Sequence, residues 1–137
     1  MKKVKFYVGM VLAMVMCLSF TIVAYAKTTK QTDYYGTLSG SISAVMEGSS
    51  FKVKTISSVD SNKDKAILKV NIELQDRDGY TLDKKEDQSS KGATYFPKDF
   101  VVPHFDDVAI VYGAHGIQGG TKYGADAVYT STIDIPR

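Results

Sequence analysis

The sequence predicts an all-β domain: an antiparallel β-sandwich of about six or seven strands, with a small barrel as the alternative, preceded by a signal-peptide helix. Three observations lead there. Apolar and polar residues alternate with a period of two over most of the chain after Tyr34. Clusters of Gly, Asp, Asn and Ser interrupt that alternation at short, regular intervals. No stretch after residue 26 repeats its apolar residues at the 3.6-residue spacing of a helix.

The amino-terminal segment is a different object. Lys2, Lys3 and Lys5 give it a positive start, Val8 to Val23 is almost wholly apolar, and Ala24-Tyr25-Ala26 closes it. A basic start, an apolar middle and an Ala-x-Ala end compose a secretory signal peptide over 1–26. Cleavage is expected after Ala26. An uncleaved anchor would hold the domain on the same outer side of the membrane. Cys17 follows Met16, where a lipoprotein signal would carry a small residue.

Taking 26 from 137 leaves a chain of 111 residues with no Cys. Disulfides, thiolate metal sites and Cys nucleophiles are therefore excluded together. A domain of that size can build its own core. All 15 acidic residues and 14 of the 17 basic ones lie in this part, so its formal charge is −1. The basicity of the whole chain belongs to the export segment, and nucleic-acid binding loses its electrostatic support.

Along the remaining chain, 27–33 reads as a flexible polar lead-in and 34–137 as one sandwich domain. Leu38, Gly40, Ile42, Ala44 and Met46 alternate with polar residues and predict a first strand with a thin apolar face. Residues 47–50 make a turn. Phe51, Val53, Thr55 and Ser57 predict a second strand with a less distinct inner face. Residues 60–64 are a turn, and Leu68, Val70, Ile72 and Leu74 then mark the cleanest strand, with Lys69, Asn71, Glu73 and Gln75 outward. Asp78-Gly79 predicts a tight hairpin. Residues 83–92 hold no apolar side chain and read as a solvated loop or the outer end of a strand. The run from Thr94 to Phe105 carries Pro97 and Pro103, which places it at an edge or in a packed loop. Val108, Ile110, Tyr112 and Ala114 form another alternating set. Residues 116–120 make a Gly-rich connection, and Thr121 to Ile133 the last strand.

Few residues suggest chemistry. Asp60, Asn62 and Asp64 have the alternating oxygens that open a calcium loop. Lys65 stands where its glycine belongs and Asn71 where its bidentate acid belongs, so a hydrogen-bonded turn explains them better. His104, Asp106, Asp107 and His115 match no metal-ligand spacing. No Gly-x-Ser-x-Gly occurs, and only Glu47, Glu73 and Glu86 are glutamates, so neither a serine hydrolase nor a glycosidase is spelled out. No cofactor is expected. The best ligand-binding candidates are Tyr112, His115, Gln118, Tyr123 and Asp126, around the Gly-rich tip. Tyr offers contact area at low entropic cost, tips carry binding more often than scaffold does, and small residues flank Asp126.

These features predict a small secreted, non-enzymatic binding module, with an extracellular protein or glycan as partner. Membrane contact is confined to the signal segment before cleavage. In class alone (exported, small, Cys-free) the chain is similar to the small β-sandwich bacteriocins of the lactococcin kind, though no motif carries over. A secreted bacteriocin-like antagonist is therefore one alternative, and a small secreted hydrolase another.

Overall fold

The computed structural model describes residues 20–47, 50–103 and 107–132. The charged start of the chain, Cys17, the 48–49 turn, His104, Asp106 and the segment from Ile133 onward lie outside the described residues.

Eight strands form two antiparallel sheets of four, with no closed barrel. The first sheet contains β1 (Phe20–Gln31), β2 (Thr37–Glu47), β3 (Ser50–Ser58) and β6 (Tyr95–Pro103), in the order β1-β2-β3-β6. The second contains β4 (Ile67–Gln75), β5 (Thr81–Gln88), β7 (Ile110–Gln118) and β8 (Asp126–Ser131), in the order β5-β4-β7-β8. The expected sandwich is therefore present.

The clean alternations become strands with the expected faces. Leu38, Ile42 and Ala44 of β2 are buried, as are Leu68, Val70, Ile72 and Leu74 of β4. β3 turns Phe51, Val53, Thr55 and Ser57 inward. Its inner face looked indistinct because two of those four are hydroxyl residues. β6 carries both prolines and lies at an edge, where a missing N–H costs no ladder bond.

Several segments differ from expectation. Phe20 to Ala26, expected to end a signal-peptide helix, is strand. β7 runs on to Gln118, into the expected Gly-rich connection, and the last strand starts at Asp126 instead of Thr121. The polar 27–33 lead-in is strand as far as Gln31, because Lys27 to Gln31 pair with Ser41 to Thr37. The charged 83–92 stretch is strand through Gln88, an edge strand pairing on one side with β4. The hairpin at Asp78-Gly79 is wider than two residues. Asp76 Oδ1 accepts the amides of Asp78 and Tyr80, both at 2.9 Å, and Gly79 takes φ +87°. In β7 the faces are reversed from those expected: Val111, Gly113, His115 and Ile117 point inward, and Tyr112 and Ala114 outward. Both phases of that segment contain apolar residues, so alternation alone could not choose between them.

The core falls into two clusters. One gathers Ile42, Phe51, Val53, Ile72, Leu74, Phe100, Val102 and Val111. The other gathers Tyr35, Leu38, Val59, Leu68, Ile117 and Val128. Between them, in the register of β2 and β7, lies a polar waist centred on His115. Its Nδ1 meets Ser57 Oγ at 3.0 Å and its Nε2 meets Thr130 Oγ1 at 2.9 Å. Ser57 belongs to the first sheet, so the ring ties the two sheets together.

The open sides of the sandwich are laced as well. Thr28 Oγ1 on β1 donates to the Tyr129 carbonyl on β8 at 2.9 Å, and Lys30 pairs with Asp126. On the opposite side Lys98 of β6 meets Asp87 of β5 at 2.7 Å.

Candidate functional site

The outer face of the second sheet carries a long groove with two adjoining lobes of about 770 and 520 Å³. Both are lined by Asn71, Ala114 and Tyr129. The sequence makes the groove in a direct way. Outward positions of β7 and β8 are Tyr112, Ala114, Gly116, Ala127 and Tyr129, and the register sets Ala114 against Tyr129 and Gly116 against Ala127. Small residues thus form a floor that the tyrosines overlook. Tyr129 is 71% exposed and Tyr112 39% exposed.

Polar groups line the other wall. Asn71 and Glu73 of β4 face outward across from Ala114 and Tyr112. Glu73 accepts bonds from the Thr81 hydroxyl and from Gln75 Nε2, and Lys84 stands 3.9 Å away. The Thr81 and Gln75 bonds, aided by Lys84, hold its carboxyl below the usual range against a small desolvation effect. Lys69 lies 3.5 Å from Glu86, and the Asn71 amide nitrogen, oriented by its hydrogen-bond network, donates to Glu86 Oε2 at 3.1 Å. At the far end Asp126 takes the Lys30 ammonium and the Ala127 amide. The Lys30 bond is the main cause that keeps its carboxyl low. Each charge in the wall therefore faces an opposite one, and the groove presents no strong field to a charged ligand.

The sequence-derived candidates divide. Tyr112, Gln118 and Asp126 all line the groove. His115 does not: it is fully buried, and burial lowers its pKa from 6.5 to about 4. It is a core residue facing the opposite way from the groove. Tyr123 belongs to the loop between β7 and β8, where it stacks on Tyr34 with ring centroids 3.8 Å apart and meets Tyr35 edge-on.

The calcium-loop candidates are turned to other partners. Asp60 Oδ2 accepts the Thr37 amide at 2.7 Å. Asn62 bonds the Ala66 amide and the Ala66 and Ala93 carbonyls. Asp64 accepts Thr121 Oγ1 and the Lys122 amide at 2.7 Å, the Tyr123 amide at 3.0 Å and Tyr35 Oη at 3.2 Å. Desolvation alone would raise its carboxyl, but those donors together outweigh it and hold it low. Among the described residues no three His, Cys, Asp or Glu side chains gather as a metal site.

Among the described residues, Ser57 and His115 make the one contact that resembles a nucleophile and base. Both are fully buried, and Thr130 holds the second ring nitrogen where an acid would stand. A substrate carbonyl cannot reach Ser57 Oγ in this fold.

Tyr129, Asn71 and Glu73 were not singled out in the sequence. The outward face of β4 was legible, but its neighbour across the sheet was not, because β7's phase was undecided. No family model matches this chain, and no curated protein or solved structure matches it either.

Proposed function

We propose that this protein is an exported, non-enzymatic binding module that takes a neutral glycan along the outer groove of the β5-β4-β7-β8 sheet. The observation that carries the reading is Tyr129. It stands 71% exposed beside a floor of Ala114, Gly116 and Ala127. A sugar ring presents an apolar C–H face that stacks on an aromatic ring, and hydroxyls that bond to fixed amides and carboxylates. The groove supplies both, with Asn71 and Glu73 on the wall facing Tyr112. Its internally paired charges favour a neutral chain over an anionic one.

The test is titration of the purified exported protein against a panel of neutral and acidic oligosaccharides, followed by calorimetry and amide chemical shifts. Neutral glycans are expected to bind with shifts at Ala114, Gly116 and Ala127. Tyr129→Ala should weaken that binding by roughly tenfold or more, with the melting temperature unchanged. Binding of acidic glycans alone, or of none, would overturn the reading.

A further inference from the structure

The groove ends where two loops begin. The lobe of about 520 Å³ reaches Lys30, Gln118, Ala125 and Asp126. Lys30 stands one residue before the end of β1, Gln118 ends β7, and Asp126 opens β8. The loops that follow β1 and β7 carry Tyr34 and Tyr123, whose rings stack. Tyr123 is two residues from Ala125, so their Cα atoms lie within about 7 Å of each other. A Cβ added at Gly124, between them, would meet nothing within 4 Å, so the space beside that junction is open. The tyrosine stack therefore stands just past the end of the groove.

The two rings serve differently. Tyr123 is partly buried and packs on the second core cluster, so it covers that end of the sandwich. Tyr34 lies nearly parallel on it, with 11° between the planes, and is 58% exposed. One face of Tyr34 rests on Tyr123 and the other is open to solvent. Its loop is well bonded. Thr32 Oγ1 accepts the Tyr35 amide at 2.9 Å and donates to the Gly36 carbonyl at 2.7 Å, and the Thr32 amide donates to the same carbonyl at 2.9 Å. The Tyr35 carbonyl accepts the Asp60 and Ser61 amides, both at 3.1 Å. Thr32 and Tyr35 are buried on either side of the exposed Asp33-Tyr34 tip. Asp64 fixes the loop of Tyr123 through the Lys122 and Tyr123 amides. A flat aromatic face is thus held in water by a fixed frame, and a ligand that stacks on it has little loop entropy to overcome.

We infer that Tyr34 is a further subsite of the groove: its open face receives the end ring of a linear neutral glycan whose inner rings lie on Tyr129, so the protein prefers long chains to short ones. This subsite depends on the glycan reading of the groove and extends it to the length of the ligand. Three features select that occupant. First, Tyr34 repeats the chemistry of Tyr129, an exposed tyrosine on which the C–H face of a sugar can stack. Second, the residues of the lobe between them include Gly116, Ala125 and Ala127, which are small enough to leave a path for a chain of rings. Third, the polar groups along that path suit hydroxyls better than charges. Gln118 is exposed there and can both donate and accept, while Lys30 is already paired with Asp126.

Calorimetry of the purified exported protein against linear neutral oligosaccharides separates the subsite from the groove. The series are graded from disaccharide to hexasaccharide, with glucose and N-acetylglucosamine oligomers among them. Affinity is expected to rise along a bound series by about tenfold or more. Tyr34→Ala should remove that rise and leave disaccharide binding as it is, and Tyr34→Phe, which keeps the stacking face, should retain it. Tyr129→Ala should weaken every length. The Tyr123 and Ala125 amides should shift with the hexasaccharide and not with the disaccharide. If no neutral oligosaccharide binds, the glycan reading of the groove fails and the subsite with it. If short chains bind and longer ones gain nothing, or if Tyr34→Ala weakens all lengths alike, the groove stands and the subsite is overturned. A Tyr34→Ala protein that melts lower but keeps the full rise shows a packing role alone and overturns it too.

Discussion

At the scale of single residues, the interior is organised around one imidazole. His115 is fully buried and fills the space opposite Gly40 and Gly113. A Cβ at Gly40 would lie 2.2 Å from His115 Cγ, and one at Gly113 would lie 2.5 Å from Thr130 Oγ1. The glycines are thus required by close approach, whatever their backbone angles. Gly40→Ala should lower stability by about 1–3 kcal/mol in urea unfolding, because the ring cannot retreat from a packed waist. Gly124→Ala, with open space around its added methyl, should change it by less than about 0.5 kcal/mol. A lone His within an alternating run, beside Asp126 and a Gly-rich tip, looks ligand-facing in the sequence. Its hydroxyl partners stand 58 and 15 residues away, and no local pattern announces them.

At the scale of elements, period-two alternation sufficed wherever one phase was clearly polar. β2 and β4 were legible for that reason. β7 was not, since Tyr112 and Ala114 are as apolar as Val111 and Gly113. β1 was obscured differently, because its first half carries the composition of an export segment. The connection between β7 and β8 shows how a loop is fixed by a distant side chain. Asp64 gathers Thr121, Lys122 and Tyr123 onto its carboxylate, and a Cβ at Gly120 would strike it at 2.0 Å. Asp64→Ala should release that loop, raising the hydrogen-exchange rate of the Lys122 and Tyr123 amides by about tenfold or more. The Tyr34–Tyr123 stack should loosen with it, while exchange in β2 and β4 stays slow.

At the scale of the whole molecule, two four-stranded sheets are held by apolar clusters on either side of a polar waist. Among the described residues no buried side-chain nitrogen or oxygen lacks a hydrogen-bond partner. The waist makes stability depend on pH. The unfolded chain protonates His115 below about 6.5, while the fold keeps it neutral down to about 4. Its contribution is therefore complete above pH 6.5 and is lost as pH falls from 6.5 towards 4, by about 3 kcal/mol in all. Asp64, Glu73, Asp87 and Asp126 are held below the usual carboxylate range, so the stability they contribute is lost at lower pH than that of His115. Urea midpoints measured between pH 7 and 4.5 should thus fall steadily in the native protein. In His115→Gln that slope should flatten, with a lower midpoint at pH 7. An unchanged slope would show that another group titrates with unfolding.

By itself the sequence determined the strand-rich class, the Cys-free chain beyond residue 26, and the outward polar face of β4. Those properties are local: they depend on composition and on neighbours two residues apart. Tertiary structure alone decided which way β7 faces, that His115 is core, and that Tyr129 overlooks a floor of small residues. It also decided that the Ala-x-Ala motif lies within a paired strand. Each of these depends on cross-strand register between segments far apart in the chain, which alternation cannot specify when both phases of a strand are apolar.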